Sequence, residues 1–248
     1  MSEANDAVLI EAQANLQRLG AHPYPGRGIV VGQSSAGFLA QIYWLMGRSE
    51  QSRNRILKQV GSGAGAGVRT EPVDPAKVAD PSLIIYNALG AHRHWHVVSN
   101  GDHTDSFLQV IKAGRDFRNA LWGQDYEPDP PHHTPRIVGV IEAGREGAEA
   151  WLGIVKANPA NGSSMRFSYD YEELSPGLGW GIMTYSGIGD VLPSFAGEPW
   201  VLPIEGEEQA IAERYWNALN AEHRVALTVK RINPDGTARI TIINRFPA

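Results

Sequence analysis

The sequence predicts an α+β fold in which antiparallel sheets are covered by a few helices, and two patterns predict it. Apolar, β-rich runs recur at short spacing: Ile29-Val30-Val31, Phe38 to Met46, Ser82 to Leu89, His94 to Ser99 and Arg136 to Ile141. The series continues through Ala150 to Lys156, Met165 to Tyr171, Trp180 to Tyr185, Arg224 to Ile232 and Thr237 to Phe246. Helix-like spacing is confined to residues 7–19, Asp105 to Ala113, Phe117 to Trp122 and Glu207 to Leu219. Many strands joined by short turns favour antiparallel pairing, and so few helices can only form outer layers.

In chain order, the first helix stops at Gly20, and Pro23-Tyr24-Pro25-Gly26-Arg27-Gly28 is a rigid lead into the first strand. Ser34-Ser35-Ala36-Gly37 signals a hairpin, and Asn233-Pro234-Asp235-Gly236 turns between the last two strands. The glycine-rich segment Gly61 to Gly67 lacks the Lys-Ser/Thr pair of a phosphate loop and reads as a flexible surface loop. No repeat or interior linker divides the chain. The expected organisation is a helical extension, 1–22, followed by a single catalytic domain, 23–248.

The bulk numbers narrow the function. Of the 248 residues 42% are hydrophobic and 20% charged, enough for a real core. A net charge of −5 argues against a general nucleic-acid or membrane-surface binder. There is no cysteine, which excludes disulfides, thiolate catalysis and the usual zinc sites. Acidic residues near the start and no long apolar run leave neither a signal peptide nor a membrane anchor, so a cytoplasmic location is expected.

Three stretches carry candidate chemistry. Arg48, Arg53 and Arg55 fall within eight residues of one another, directly after a strand-like run. Planar guanidiniums suit a phosphate or carboxylate better than a solvated face requires. Asn100-Gly101-Asp102-His103-Thr104-Asp105 combines a tight turn with more polar groups than a turn needs. Thr104 or Asp105 would cap the next helix, whose N-terminus offers N–H groups to an anion. Asp125 to Pro131 is an acidic, proline-stiffened loop running into His132-His133 and Arg136. It is either an exposed loop with a salt bridge or a place for a general acid–base carboxylate. His92, His94 and His96 alternate, so on one strand they share a face. An exposed strand face explains them better than a metal.

In order, these stretches resemble the archaeal-type IMP cyclohydrolase family. The resembling blocks are Pro23 to Gly28, Tyr43 through Arg55, Asp80 to Tyr86, Asn100 to Asp105, and Asp125-Tyr126-Glu127 with Thr134-Pro135-Arg136-Ile137. Leu192 to Pro199 is similar to a feature of longer bacterial members. The resemblance implies a four-layer αββα sandwich like that of the N-terminal-nucleophile hydrolases. It implies ring closure of the formamido-imidazole-carboxamide ribonucleotide (FAICAR) to IMP with loss of water. It places the catalytic residues on Arg55, Tyr86 and Glu127. Asn100, Asp102, His103 and Arg136 match positions lining the pocket, to which Arg27, Arg48, Arg53, Asn54 and Asp105 are added as substrate-binding candidates. The expected partner is a small nucleotide, with neither metal nor organic cofactor, in a homo-oligomer. Two other readings are an amide hydrolase with a terminal nucleophile and a relative acting on another imidazole or purine-like nucleotide.

Overall fold

The computed structural model describes residues 3–78, 81, 84–144 and 147–247. Asp80, Ser82 and Leu83, which belong to an expected strand and a resembling block, lie outside the described residues. Helix α1 (Glu3–Ala21) runs one residue past Gly20. Strands β1 (Gly28–Gln33) and β2 (Leu39–Met46) form the expected hairpin, in register from Gly28 opposite Trp44 to Gln33 opposite Leu39. Gly37 turns that hairpin at φ 90°, a conformation open to glycine at little cost. A single helical turn, α2 (Glu50–Arg53), leads to β3 (Ile56–Val60), β4 (Gly67–Glu71), β5 (Asn87–His92) and β6 (Trp95–Ser99). Then come α3 (His103–Lys112), α4 (Asn119–Trp122), β7 (Arg136–Ala143), β8 (Ala148–Ala157) and β9 (Ser164–Tyr171). The chain finishes with β10 (Leu178–Met183), β11 (Trp200–Pro203), α5 (Glu208–Ala218), β12 (Arg224–Ile232) and β13 (Ala238–Asn244).

Among the described residues these strands make two antiparallel sheets. One has six strands in the order β11-β10-β1-β2-β12-β13, and the other is a seven-stranded meander from β3 to β9. The sheets face each other through β1 against β7 and β8, and β2 against β6. Helices α1 and α5 cover the outside of the six-stranded sheet, and α3 and α4 that of the other, giving the expected αββα layering. Burial on both faces is why β1 and β2 are nearly continuously apolar instead of alternating. The sheets touch closely at Gly139, where a Cβ would lie 2.8 Å from Val31 Cγ1 and 3.0 Å from Ile29 Cγ2. On the outer side of β7 and β8, Phe107, Phe117 and Trp151 pack ring against ring, with centroids 5.4–6.5 Å apart. Each such ring stabilises the fold by about 1.5–3 kcal/mol through removal from water.

Several expectations change on contact with the structure. Strands β3, β4 and β11 were not foreseen. Three of the five residues of β3 are exposed at the sheet edge, and β11 is short and ends in proline, so neither shows the expected pattern. His92, His94 and His96 do not share a strand face. Arg93 and His94 form the two-residue turn between β5 and β6, with His92 opposite Trp95. His96 alone is fully buried, and burial followed by the charge of Lys230 pushes its pKa down to about 3. Neither Thr104 nor Asp105 caps α3: the helix begins at His103 with Asp102 before it, and the Asp102 side chain makes no capping bond. Gly61 to Gly65 form an exposed turn, as expected, while Ala66 is buried and its carbonyl accepts from Lys230 Nζ at 2.8 Å.

Candidate active site

Antiparallel pairing brings the start of β1 and β7 beside the end of β2 and β6, and a cavity of about 450 Å³ opens there. Each wall is set by local chemistry. Gly26 has φ 74°, and a Cβ on it would meet Thr184 Oγ1 at 2.1 Å, so only glycine lets the chain approach β10 this closely. The next residue, Arg27, is thereby fixed by two bonds to Thr184: its carbonyl accepts from Thr184 N, and its N–H donates to Thr184 Oγ1. Ser49 and Ser52 close a reciprocal capping box around α2, which points Arg48, Ser49, Gln51, Ser52 and Arg55 at the opening. Tyr24, Asp129, His132, Thr134, Tyr185 and Leu192 complete much of the wall.

At the floor, Arg27 Nη2 donates to both oxygens of Glu127, at 2.9 and 3.0 Å, with each side chain about 10% exposed. Burial raises the Glu127 carboxyl above its ordinary value, against the opposing pull of Arg27, and nearby Asp129 adds to the rise. Burial also works against the Arg27 charge, but Glu127 and the surrounding tyrosines outweigh it and hold the guanidinium charged. Asn100, fully buried, fastens the Glu127 loop to the strands. Its amide donates to Pro135 O at 2.9 Å and, more weakly, to Glu127 Oε1 at 3.5 Å, while its oxygen accepts from Ile137 N at 2.8 Å. Arg55 is 6% exposed; its Nε donates to Ser52 O at 3.0 Å, and its Nη1 is buried with no partner among the described residues. A buried N–H without an acceptor is costly, and on a residue that lines the cavity it makes Arg55 a candidate to bind what enters there.

The expected site residues separate into three groups. Arg27, Arg48, Arg55 and Glu127 meet in the cavity wall. Tyr86, Asn100, Asp102, His103 and Arg136 are not among the residues that line it. The Tyr86 hydroxyl lies 2.7 Å from that of Tyr43. Arg136 binds Asp102 at 2.5 Å and approaches His103 Nδ1 at 3.0 Å, while His103 Nε2 donates to Ile137 O at 3.0 Å. Burial and the Arg136 charge push the His103 pKa down to about 3, so it is a neutral strut. The third group points elsewhere. Arg53 binds Gly47 O and faces His223 and Glu222. Asn54 clamps the backbone of Asp74 at both ends of its amide. Asp105 accepts from Asn87 on an exposed face. Among residues outside the expected set, Tyr185 and Leu192 come from the C-terminal half, and only the three-dimensional pairing of β10 with β1 brings them in.

A larger cleft of about 910 Å³ lies at the opposite strand ends, lined by Glu142, Glu149, Glu172 and Glu173. Four carboxylates repel an anion, so the smaller, arginine-lined cavity suits an anionic ligand better. Among the described residues no group of three His, Asp or Glu side chains is placed to hold a metal.

Two facing antiparallel sheets with a buried Arg–Glu pair and a second, partly unmatched arginine at their shared end define an enzyme-like site for a small anionic substrate. The model of a family described as "IMP cyclohydrolase-like protein" matches residues 24–236. A protein named IMP cyclohydrolase from Methanothrix thermoacetophila is 32% identical over 170 residues, 67% of this chain and 76% of that protein. One of the same name from Methanocaldococcus jannaschii is 28% identical over 218 residues, 86% of this chain and 96% of that protein. The chain belongs to the IMP cyclohydrolase-like family. These relatives are archaeal, and the expected likeness to longer bacterial members is not borne out.

Proposed function

We propose that the protein closes FAICAR to IMP with loss of water, in the arginine-lined cavity. The buried Arg27–Glu127 pair beside the unmatched Arg55 Nη1 carries this reading, and the names of the archaeal relatives support it. An amide nitrogen is a poor nucleophile, and a walled cavity that holds it against the formyl carbon removes much of the entropic barrier. As the C–N bond forms, negative charge grows on the formyl oxygen. Arg55 Nη1 is the donor for it. One proton from the carboxamide nitrogen and one from the formamide nitrogen must reach that oxygen before it departs as water. A single carboxyl can shuttle both, and Glu127, whose raised pKa brings it nearer neutrality, is that group.

Tyr86 acts from outside the cavity lining, holding Tyr43 by its hydroxyl. With Arg27 committed to Glu127 and Arg53 turned away, the ribose phosphate falls to Arg48. This exposed arginine stacks over Tyr24 at 5.1 Å and donates to Gly189 O at 3.2 Å. We further infer a cytoplasmic homo-oligomer of one catalytic domain, 23–248, with α1 as its extension. In support, the family match begins at residue 24, α1 lies along the edge strand β11, and no described helix is long and apolar enough to cross a membrane. The direct test is spectroscopic: purified protein given FAICAR forms IMP at a rate proportional to enzyme. Folded protein with no turnover contradicts the reading.

A further inference from the structure

A chain of three hydrogen-bonding groups on the cavity wall has no part in the ring-closure scheme. Asp129 Oδ1 accepts from the backbone N–H of Thr134 at 2.7 Å, and Asp129 Oδ2 accepts from the Thr134 hydroxyl. Thr134 Oγ1 also lies 2.6 Å from the Tyr185 hydroxyl. A threonine hydroxyl has one proton, and Asp129 takes it. The Tyr185 proton must therefore be the one between Tyr185 and Thr134. All three residues line the cavity, and Thr134 and Tyr185 are 2% and 5% exposed. With its proton committed, the Tyr185 oxygen can only accept. Burial pushes its pKa up to about 12, so it stays a neutral phenol through the working range. Tyr24 and His132 pack on the Tyr185 ring, with centroids 6.0 and 6.5 Å away, and hold its direction.

We propose that Tyr185 is a recognition residue whose oxygen accepts a hydrogen bond from an N–H or O–H of the nucleotide, a polarity fixed by the Thr134–Asp129 pair. This rests on reading the cavity as the nucleotide site. The arginines recognise negative charge; Tyr185 adds a demand for a donor, which an analogue lacking that donor fails to meet.

The test is kinetic. Tyr185→Phe keeps the ring and removes the acceptor, so KM for FAICAR rises about 3- to 10-fold while kcat stays within about twofold. Thr134→Val frees the Tyr185 proton to point into the cavity and raises KM in the same way, whereas Thr134→Ser, which keeps Oγ, restores most of the loss. A purely structural wall predicts the opposite pattern: thermal stability falls in Thr134→Val and KM is unchanged in Tyr185→Phe, and that overturns the proposal. A dideoxyribose substrate separates the two donors. Sensitivity to Tyr185→Phe that vanishes with it marks a ribose hydroxyl, and sensitivity that persists marks an amide N–H. If the wild type fails to close the ring, calorimetric binding of IMP still decides. Weaker binding to Tyr185→Phe supports the proposal, equal binding overturns it, and no binding to wild type overturns both this and the site assignment.

Discussion

Replacing Arg27 with methionine removes one half of a buried ion pair and leaves Glu127 in place. Both side chains are about 10% exposed and joined by two bonds of 2.9 and 3.0 Å, so little solvent is present to compensate. Breaking such a pair from one side costs about 3–5 kcal/mol. In a chain of this size that lowers Tm by about 10 °C. The loss depends on pH with a definite sign. Burial already holds the folded-state Glu127 pKa above its ordinary value of 4.5, and Arg27 is the largest force pulling it back. Without Arg27 the folded pKa rises further. A carboxyl whose folded pKa is raised binds its proton more tightly in the folded state. Stability is then greatest below the ordinary value and is lost as pH rises through the raised value. Arg27→Met is therefore close to wild type near pH 4 and falls behind progressively towards pH 7. Adding Glu127→Gln removes the stranded charge and recovers most of the loss. Thermal unfolding of the four proteins across pH measures this. A pH-independent deficit, or additive losses in the double variant, refutes the buried-pair reasoning.

Three further outcomes follow from the same geometry. Arg55→Lys keeps charge but not the fork that presents Nη1, and lowers kcat by about 100-fold with FAICAR; an unchanged kcat removes Arg55 from the reacting centre. Arg48→Ala raises KM and spares kcat, because phosphate is bound alike in ground and transition states; steady-state kinetics with a loss confined to kcat would refute this. Gly139→Ala forces a Cβ to within 2.8 Å of the stiff Val31 side chain and lowers stability by about 1–3 kcal/mol in denaturant titration; a neutral substitution would mean the sheets separate easily there.

Much of the layering was legible because hydrophobic period and turn chemistry are local. Ser34 to Gly37 marks the first hairpin and Asn233 to Gly236 the last, while Arg224 to Ile232 is the strand itself. What escaped is what depends on partners distant in sequence. Strand β3 looks polar because it is an edge, and β11 is a short strand that only its pairing with β10 reveals. The density of arginine and acid around the site was visible, but its division of labour was not. Residues 53, 54 and 55 are consecutive, yet only Arg55 faces the cavity, because the turn of α2 sends Arg53 towards Glu222 and Asn54 towards Asp74. His103 was expected to line the pocket and is a neutral strut once buried beside Arg136. Tyr185 carries no local signal and enters through the register of β10 against β1.

The most direct measurement is the kcat of Glu127→Gln against wild type in the FAICAR closure assay, with KM determined alongside. Glutamine keeps the shape and one of the two acceptors for Arg27 but cannot exchange a proton. The expected result is wild-type turnover to IMP and a variant slower by about 100-fold or more, with KM within a few-fold. A variant that turns over as fast as wild type contradicts the assignment of Glu127 as the proton carrier.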